Sequence, residues 1–133
     1  MRYLLDTNIV SNLVRNPQGR VADRLKAVGE QNICTSIIVA AELRYGTTKK
    51  ASPRLTAQVE AVLSVIDTLP FDSSADEFYG SIRTQLESVG TPIGGNDLLL
   101  AAQALALDHI LVTDNDQEFS RVEGLRVENW LRD

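Results

Sequence analysis

Ile110-Leu111-Val112 is an unbroken apolar run set between a helix-patterned segment and an acidic turn, and it narrows the choice of fold more than any other stretch. A strand that is apolar at every position is buried on both faces, which is the condition of an inner strand in a parallel sheet. The same unit recurs upstream. Tyr3-Leu4-Leu5 ends at Asp6-Thr7-Asn8, after which Ile9, Val10, Leu13 and Val14 return at helical spacing as far as Pro17. Val21 to Val28 continues as a basic amphipathic helix. Asn32 to Thr35 reads as a second strand, with Ser36 capping a helix that carries Ala40, Ala41 and Leu43 to an expected stop at Gly46.

Ser52-Pro53 is an N-cap followed by a proline at the first helical position, opening a helix through Val59, Val62 and Leu63. Ile66 to Leu69 is a further short strand. Ser73 or Ser74 then starts a helix bearing Phe78, Ile82 and Leu86, with Gly90 as its stop. Asn96 is placed to cap an apolar helix from Asp97 to Leu107, and a last strand near Leu125 to Val127 precedes Trp130, which closes the core. The alternation predicts one three-layer α/β/α domain over residues 1–133, with a short parallel central sheet and more helix than strand.

Composition removes several function classes. A single cysteine, Cys34, and a single histidine, His109, assemble neither a disulfide nor a Cys/His zinc site, and both read as structural residues. No Gly-x-Ser-x-Gly elbow or phosphate-binding Walker loop is present. No apolar run reaches the roughly 18 residues of a membrane span. The expectation is a soluble, cytoplasmic protein. The net charge of −5 hides an asymmetry, since residues 1–54 hold nine Lys/Arg against four acids and residues 55–133 hold four against fourteen. A basic surface beside an acidic one is compatible with a phosphate-bearing partner.

In an open parallel sheet, sites form beyond the carboxyl ends of the strands. Asp6 follows the first strand, and Thr113-Asp114-Asn115-Asp116 follows Ile110 to Val112, so both lie on one edge. Glu42 sits among alanines and leucine in the helix after the second strand, and Asp97 is the only charge at the head of a long apolar helix. Taken singly, Asp6 reads equally as a cap, Asp97 as a first-turn acid and Glu42 as the partner of an arginine. Together they repel one another, and a divalent cation with oxygen ligands, Mg²⁺ or Mn²⁺, relieves that repulsion. Such an ion activates water and stabilises charge on phosphoryl oxygen, which points to phosphodiester hydrolysis. Thr7, Asn8, Ser36 and Thr113 are small polar groups suited to orienting the carboxylates, with helix capping as the other reading of Ser36. Arg44, Lys49, Lys50 and Arg54 follow Glu42 closely and are the candidates for contacts to the phosphates of a polyanionic substrate.

Four segments in order carry a family resemblance: Asp6-Thr7-Asn8, Ala41-Glu42-Leu43, Pro92-Ile93-Gly94-Gly95-Asn96-Asp97, and Val112-Thr113-Asp114-Asn115 followed by Glu118-Phe119, with Gly-Leu-Arg-Val-Glu-Asn-Trp near the C-terminus. The chain resembles PIN-domain ribonucleases, and within them the VapC toxins of bacterial toxin–antitoxin systems. The resemblance implies Mg²⁺- or Mn²⁺-dependent endonucleolytic cleavage of RNA, leaving 5′-phosphate and 3′-hydroxyl ends. It implies inhibition by a VapB antitoxin, a homodimer within a larger toxin–antitoxin assembly, and contact with operator DNA only through the antitoxin. Gly94 to Asp97 and the tail are most similar to members that cut initiator tRNA in its anticodon stem-loop. Asp6, Glu42 and Asp97 match the family's metal-binding acids. At the fourth position, where many members have aspartate, this chain has Asn115, flanked by Asp114 and Asp116, either of which could substitute. Two rivals remain from the residues alone. One is a Mg²⁺-dependent phosphatase or phosphotransferase using Asp6 covalently, which lacks the second Asp of an Asp-x-Asp motif because position 8 is Asn8. The other is a non-catalytic RNA-binding or receiver-like domain.

Overall fold

The computed structural model describes residues 1–132. Its strands are β1 (Tyr3–Leu5), β2 (Ile33–Ser36), β3 (Asp67–Leu69), β4 (Ile110–Val112) and β5 (Val127–Glu128), and its helices are α1 (Thr7–Arg15), α2 (Arg20–Val28), α3 (Ile37–Lys50), α4 (Pro53–Val65), α5 (Ala75–Ser88), α6 (Gly95–Leu107) and α7 (Asp116–Phe119). All strand pairs are parallel, in the order β3-β2-β1-β4-β5. Leu4 and Leu5 point to opposite faces of β1, and both are fully buried. Helices therefore cover the sheet on both sides, giving the expected α/β/α layering. Trp130 is buried and packs its ring 5.4 Å from that of Tyr3.

The local signals explain most boundaries. Ser36 and Ser52 each accept a backbone N–H of the helix they precede, from Ile38 at 3.0 Å and Leu55 at 3.2 Å. Ser36 Oγ is thus a cap, and the expectation that it orients a site carboxylate is corrected. α5 ends in a paired closure, Gly90 N–H to Glu87 O at 3.2 Å and Thr91 N–H to Leu86 O at 2.9 Å, with Gly90 at φ +75°. That left-handed turn is the conformation glycine adopts without Cβ strain.

Four boundaries stand out against the sequence reading. α3 runs through Gly46 to Lys50 and turns off at Ala51, which takes a left-handed φ of 52°. The buried Thr47 and Leu43 anchor this continuation, so packing overrides the glycine. α6 starts at Gly95, with Gly94 in the cap position and Asn96 already helical. β2 and β5 each begin later than expected, because Asn32 belongs to a single 3-10 turn (Glu30–Asn32) and β5 pairs from Val127. Within α6, the buried Gln103 donates its amide to Leu69 O at 3.3 Å and Pro70 O at 3.0 Å, tying the helix to the end of β3.

Candidate active site

The register of the sheet decides where the chemistry sits. Leu5 is level with Thr35 on one side and Val112 on the other, so Asp6, Ser36 and Thr113 emerge together at the carboxyl edge. β1 is also the switch point, since the chain builds outward through β2 and β3 and then returns to lay β4 on the opposite side. Diverging connections open a crevice there.

Asp6 is fixed at the mouth of that crevice by both of its oxygens. Oδ1 accepts the Thr7 N–H at 2.7 Å, and Oδ2 accepts the Thr113 hydroxyl at 2.7 Å. Thr113 Oγ1 in turn accepts the Asn115 N–H at 3.0 Å. Burial pushes the Asp6 carboxyl above its ordinary range, the two donors oppose that rise, and Glu42 and Glu118 add to it. Glu42, half-buried on α3, accepts the Thr7 hydroxyl at 3.0 Å. Thr7 thus ties the first acid to the second, by its N–H to one and its Oγ1 to the other. Asn8 Oδ1 accepts the Asp114 N–H at 3.1 Å and joins the β4 turn to α1.

Asp97 lies in the first turn of α6. Its carboxyl is pushed up to about 7, first by burial and then by the carboxylates of Glu118, Asp6 and Glu42. Those are the neighbouring negative charges that act on it. Asp114 accepts from Asn129 at 3.0 Å, and Asp116 is held by Asn129 and Arg132. The expectation that either supplies the fourth acid is corrected. Asn115 does not take that place either, because its amide donates to Glu118 Oε2.

Glu118, which the sequence reading did not single out, is therefore the fourth carboxylate beside Asp97. Its Oε1 accepts the Gly94 N–H at 3.1 Å, so α7 also holds the loop before α6. A signal for it exists in Asn115-x-x-Glu118, the capping-box spacing in which the third helical residue reaches back over the cap. A four-residue helix shows no hydrophobic period that would have exposed the pairing.

The four acids have no cationic partner among the described ion pairs. Arg2, Arg24, Arg44, Arg83, Arg126 and Arg132 pair instead with Asp67, Glu128, Glu60, Glu87, Asp108 and Asp116. Arg44 is a two-pronged case, its Nε and Nη2 lying 3.0 and 2.9 Å from the two Glu60 oxygens. That corrects its expected place among the RNA contacts, since its donors are already directed at a carboxylate. Lys49 lies 5.9 Å from the ring of the exposed Tyr45, and Arg54 is exposed near the start of α4. Lys50 lines a groove that begins at Thr7 and Glu42.

As placed, no three His, Cys, Asp or Glu side chains among the described residues are gathered tightly enough to enclose a metal ion. The donor chemistry nonetheless fits one. Carboxylate oxygens are the ligands that Mg²⁺ and Mn²⁺ take, and the raised Asp97 marks negative charges held near each other without a countercharge. A covalent role for Asp6 is poorly served, because both of its oxygens are engaged by fixed donors.

Comparison with known proteins agrees with this geometry. The PIN domain family profile matches residues 3–125. The chain is 38% identical over 132 residues to ribonuclease VapC2 of Rickettsia felis, covering 98% of both chains. It is 37% identical to the tRNA(fMet)-specific endonuclease VapC of Shigella flexneri, again over 98% of both. The crystal structure of DNA-bound VapBC from Salmonella typhimurium superposes with a TM-score of 0.91 at 34% identity, covering 98% of both chains. The rival readings as a phosphatase, a receiver or a non-catalytic RNA-binding domain fall to these matches. With its four acids at the switch point of a parallel sheet, this chain belongs to the PIN-domain family and, within it, to the VapC ribonuclease toxins of VapBC toxin–antitoxin systems.

Proposed function

We propose that this toxin hydrolyses a phosphodiester bond of tRNA, with the anticodon stem-loop of initiator tRNA as the first candidate, using Mg²⁺ or Mn²⁺ held by Asp6, Glu42 and Asp97. The observation that carries the reading is the gathering of acids at one sheet edge, with Asp6 held by the Thr7 N–H and the Thr113 hydroxyl and Glu42 held by the Thr7 hydroxyl, and the upward shift of Asp97 agrees with it. Carboxylates kept together in this way at one sheet edge serve to bind a cation. The tRNA assignment is supported by relatives from Shigella flexneri and Salmonella typhimurium, 37% and 34% identical, that are tRNA(fMet)-specific endonucleases.

A bound divalent ion supplies a water of lowered pKa and a countercharge for the phosphoryl oxygens. The protein's own residues do the positioning. Thr113 and the Thr7 N–H fix the plane of the Asp6 carboxylate, Thr7 Oγ1 fixes Glu42, and Glu118 holds the Gly94 N–H so that Asp97 is presented at the head of α6. No side chain at the site is a convincing nucleophile, so water attacks the phosphorus in line.

Control by an antitoxin fits the N-terminal helices. Leu13, Leu25, Val62 and the exposed Val65 line an apolar groove between α1, α2 and α4, suited to an amphipathic segment. An arginine of such a segment, reaching the acids, would compete with the metal ion. A homodimer within a larger toxin–antitoxin complex is what the family resemblance implies, and solved relatives include VapBC complexes bound to DNA.

The test is direct. Purified protein is incubated with total tRNA and Mg²⁺, and the cut ends are mapped. A single cut in the anticodon loop of initiator tRNA, lost in Asp97→Asn, is expected. Cleavage confined to other RNAs would overturn the tRNA assignment, and cleavage by Asp97→Asn at the normal rate would overturn the site.

A further inference from the structure

α1 and α3 leave the same sheet edge, and they carry matched residues at matched heights. Thr7 and Glu42 stand at the acid end, and eight residues further along their helices come Arg15 and Lys50. At ~1.5 Å per residue those cations lie ~12 Å from the acid end on both helices. The space between is a groove of about 270 Å³, walled by Val14, Leu43, Leu55 and Val59 and floored by Gly46. One end is acidic, the middle is apolar and the far end is cationic.

Arg15 and Lys50 are exposed, and neither takes part in the ion pairs described above. Each sits in the last turn of its helix, where a cation offsets the helix dipole. That local role does not explain why both line one groove leading to Glu42. A Cβ added at Gly46 would meet nothing within 4 Å, so the floor is open space and not a close contact.

We infer that this groove is a nucleotide subsite of the RNA substrate, in which Arg15 and Lys50 bind a backbone phosphate removed from the one being cut and the apolar middle receives the base between them. The charge order fits a polyanion that is anchored at the cationic end and needs a bound cation only at the acid end. Proteins that recognise single-stranded RNA commonly take its unstacked bases out of the strand into sites of their own. The inference rests on the ribonuclease reading above and adds to it a contact register.

The experiment uses synthetic RNAs that contain the same cleaved linkage, one with at least four nucleotides on each side and two shortened to a single nucleotide on one side or the other. Wild-type protein is expected to show a KM about tenfold lower for the long RNA than for one of the shortened RNAs, the equivalent of one good contact. In Arg15→Gln/Lys50→Gln that ratio should fall to about one, and the log–log salt slope of long-RNA binding should flatten by roughly 0.7 per lost phosphate contact. Gly46→Leu, which fills the floor and keeps both cationic charges, should abolish the same ratio and leave the salt slope less affected. A role limited to the helix ends predicts a lower Tm in the double variant with the ratio intact, and that result overturns the inference. So does a double variant that keeps the ratio while losing affinity for its co-expressed antitoxin, which would make the groove a protein site. Failure of the wild type to cut any of the RNAs would instead overturn the ribonuclease reading itself.

Discussion

Thr113 donates its hydroxyl hydrogen to Asp6 Oδ2 across 107 residues of sequence, joining the end of β4 to the end of β1 in a buried bond of 2.7 Å. The same Oγ1 accepts the Asn115 N–H, so one small side chain orients the first acid and the turn that leads to the fourth. Thr113→Val keeps the shape and removes both bonds. The buried Asp6 Oδ2 then loses a partner, at about 1–3 kcal/mol, the exposed Asn115 N–H is left to solvent, and the Asp6 carboxylate loses one of the donors that hold its charge. Chemical denaturation should show the loss of stability. Cleavage should fall by about 10- to 100-fold, the scale seen when a residue supporting a metal ligand is removed.

Asp97 gives the metal-free protein an unusual pH dependence. Its carboxyl rises from 3.8 to about 7 on folding, so between those values the folded state binds a proton that the unfolded chain releases. Stability contributed in this way is full below the unfolded value and is lost as pH rises through about 7. Without added divalent ion, Tm should therefore decline from pH 5 to pH 8, and Mg²⁺ should restore it most at the alkaline end. Asp97→Asn should flatten the profile while abolishing cleavage. A wild-type Tm that climbs over this interval would contradict the arrangement.

Glu118→Gln removes a charge, keeps one of the two hydrogen bonds as it stands and keeps the other only if the Asn115 amide turns over to accept the new NH2. The amide oxygen still accepts the Gly94 N–H, while the carboxylate that contributes most to raising Asp97 after burial is gone. Metal-free stability at pH 8 should increase, and the Mg²⁺ concentration needed for half-maximal cleavage should also increase. Titration of both quantities in the same preparation checks the pair.

Asn115→Asp tests the position where the family resemblance implies an acid. In this chain the Asn115 amide donates to Glu118, so an aspartate there faces a second carboxylate with no hydrogen to share. Without metal the variant should be less stable than wild type at pH 8, and added Mn²⁺ should recover more of the loss than it gives to wild type. Equal Tm values in the metal-free proteins would show that the amide–carboxylate contact is unimportant.

Gly46→Ala reports on α3. The added methyl enters open space and the residue lies in a helix interior, where alanine exceeds glycine by roughly 0.5–1 kcal/mol. A rise in unfolding free energy of that size is expected from urea melts.

Much of this architecture is written in short local signals. Ser52-Pro53 announces α4, Ile110 to Val112 announces an inner parallel strand, and the acids after strands announce the edge where the site forms. Asp6, Glu42 and Asp97 could be named because each is a charge in an apolar setting that needs an explanation. Three features were not legible for physical reasons. Gly46 is a stop by propensity, but the buried Thr47 and Leu43 beside it hold the helix together. Arg44 looks available to RNA until α4 folds back and presents Glu60. Glu118 belongs to a helix too short to show a period, and its partner Gly94 lies in a loop from another part of the chain.

The sheet order β3-β2-β1-β4-β5 places a strand from the end of the chain beside the strand that begins it. During synthesis, a nascent chain reaching only to α6 already carries Asp6, Glu42 and Asp97, but β1 has one flank open and Asp6 lacks Thr113. Glu118 comes later still, within α7. Because domains fold as units once their elements are available, the acid cluster is completed only after β4 and α7 have joined the strands made before them. A chain that stops short of β4 is left without Thr113 and Glu118 by its own topology.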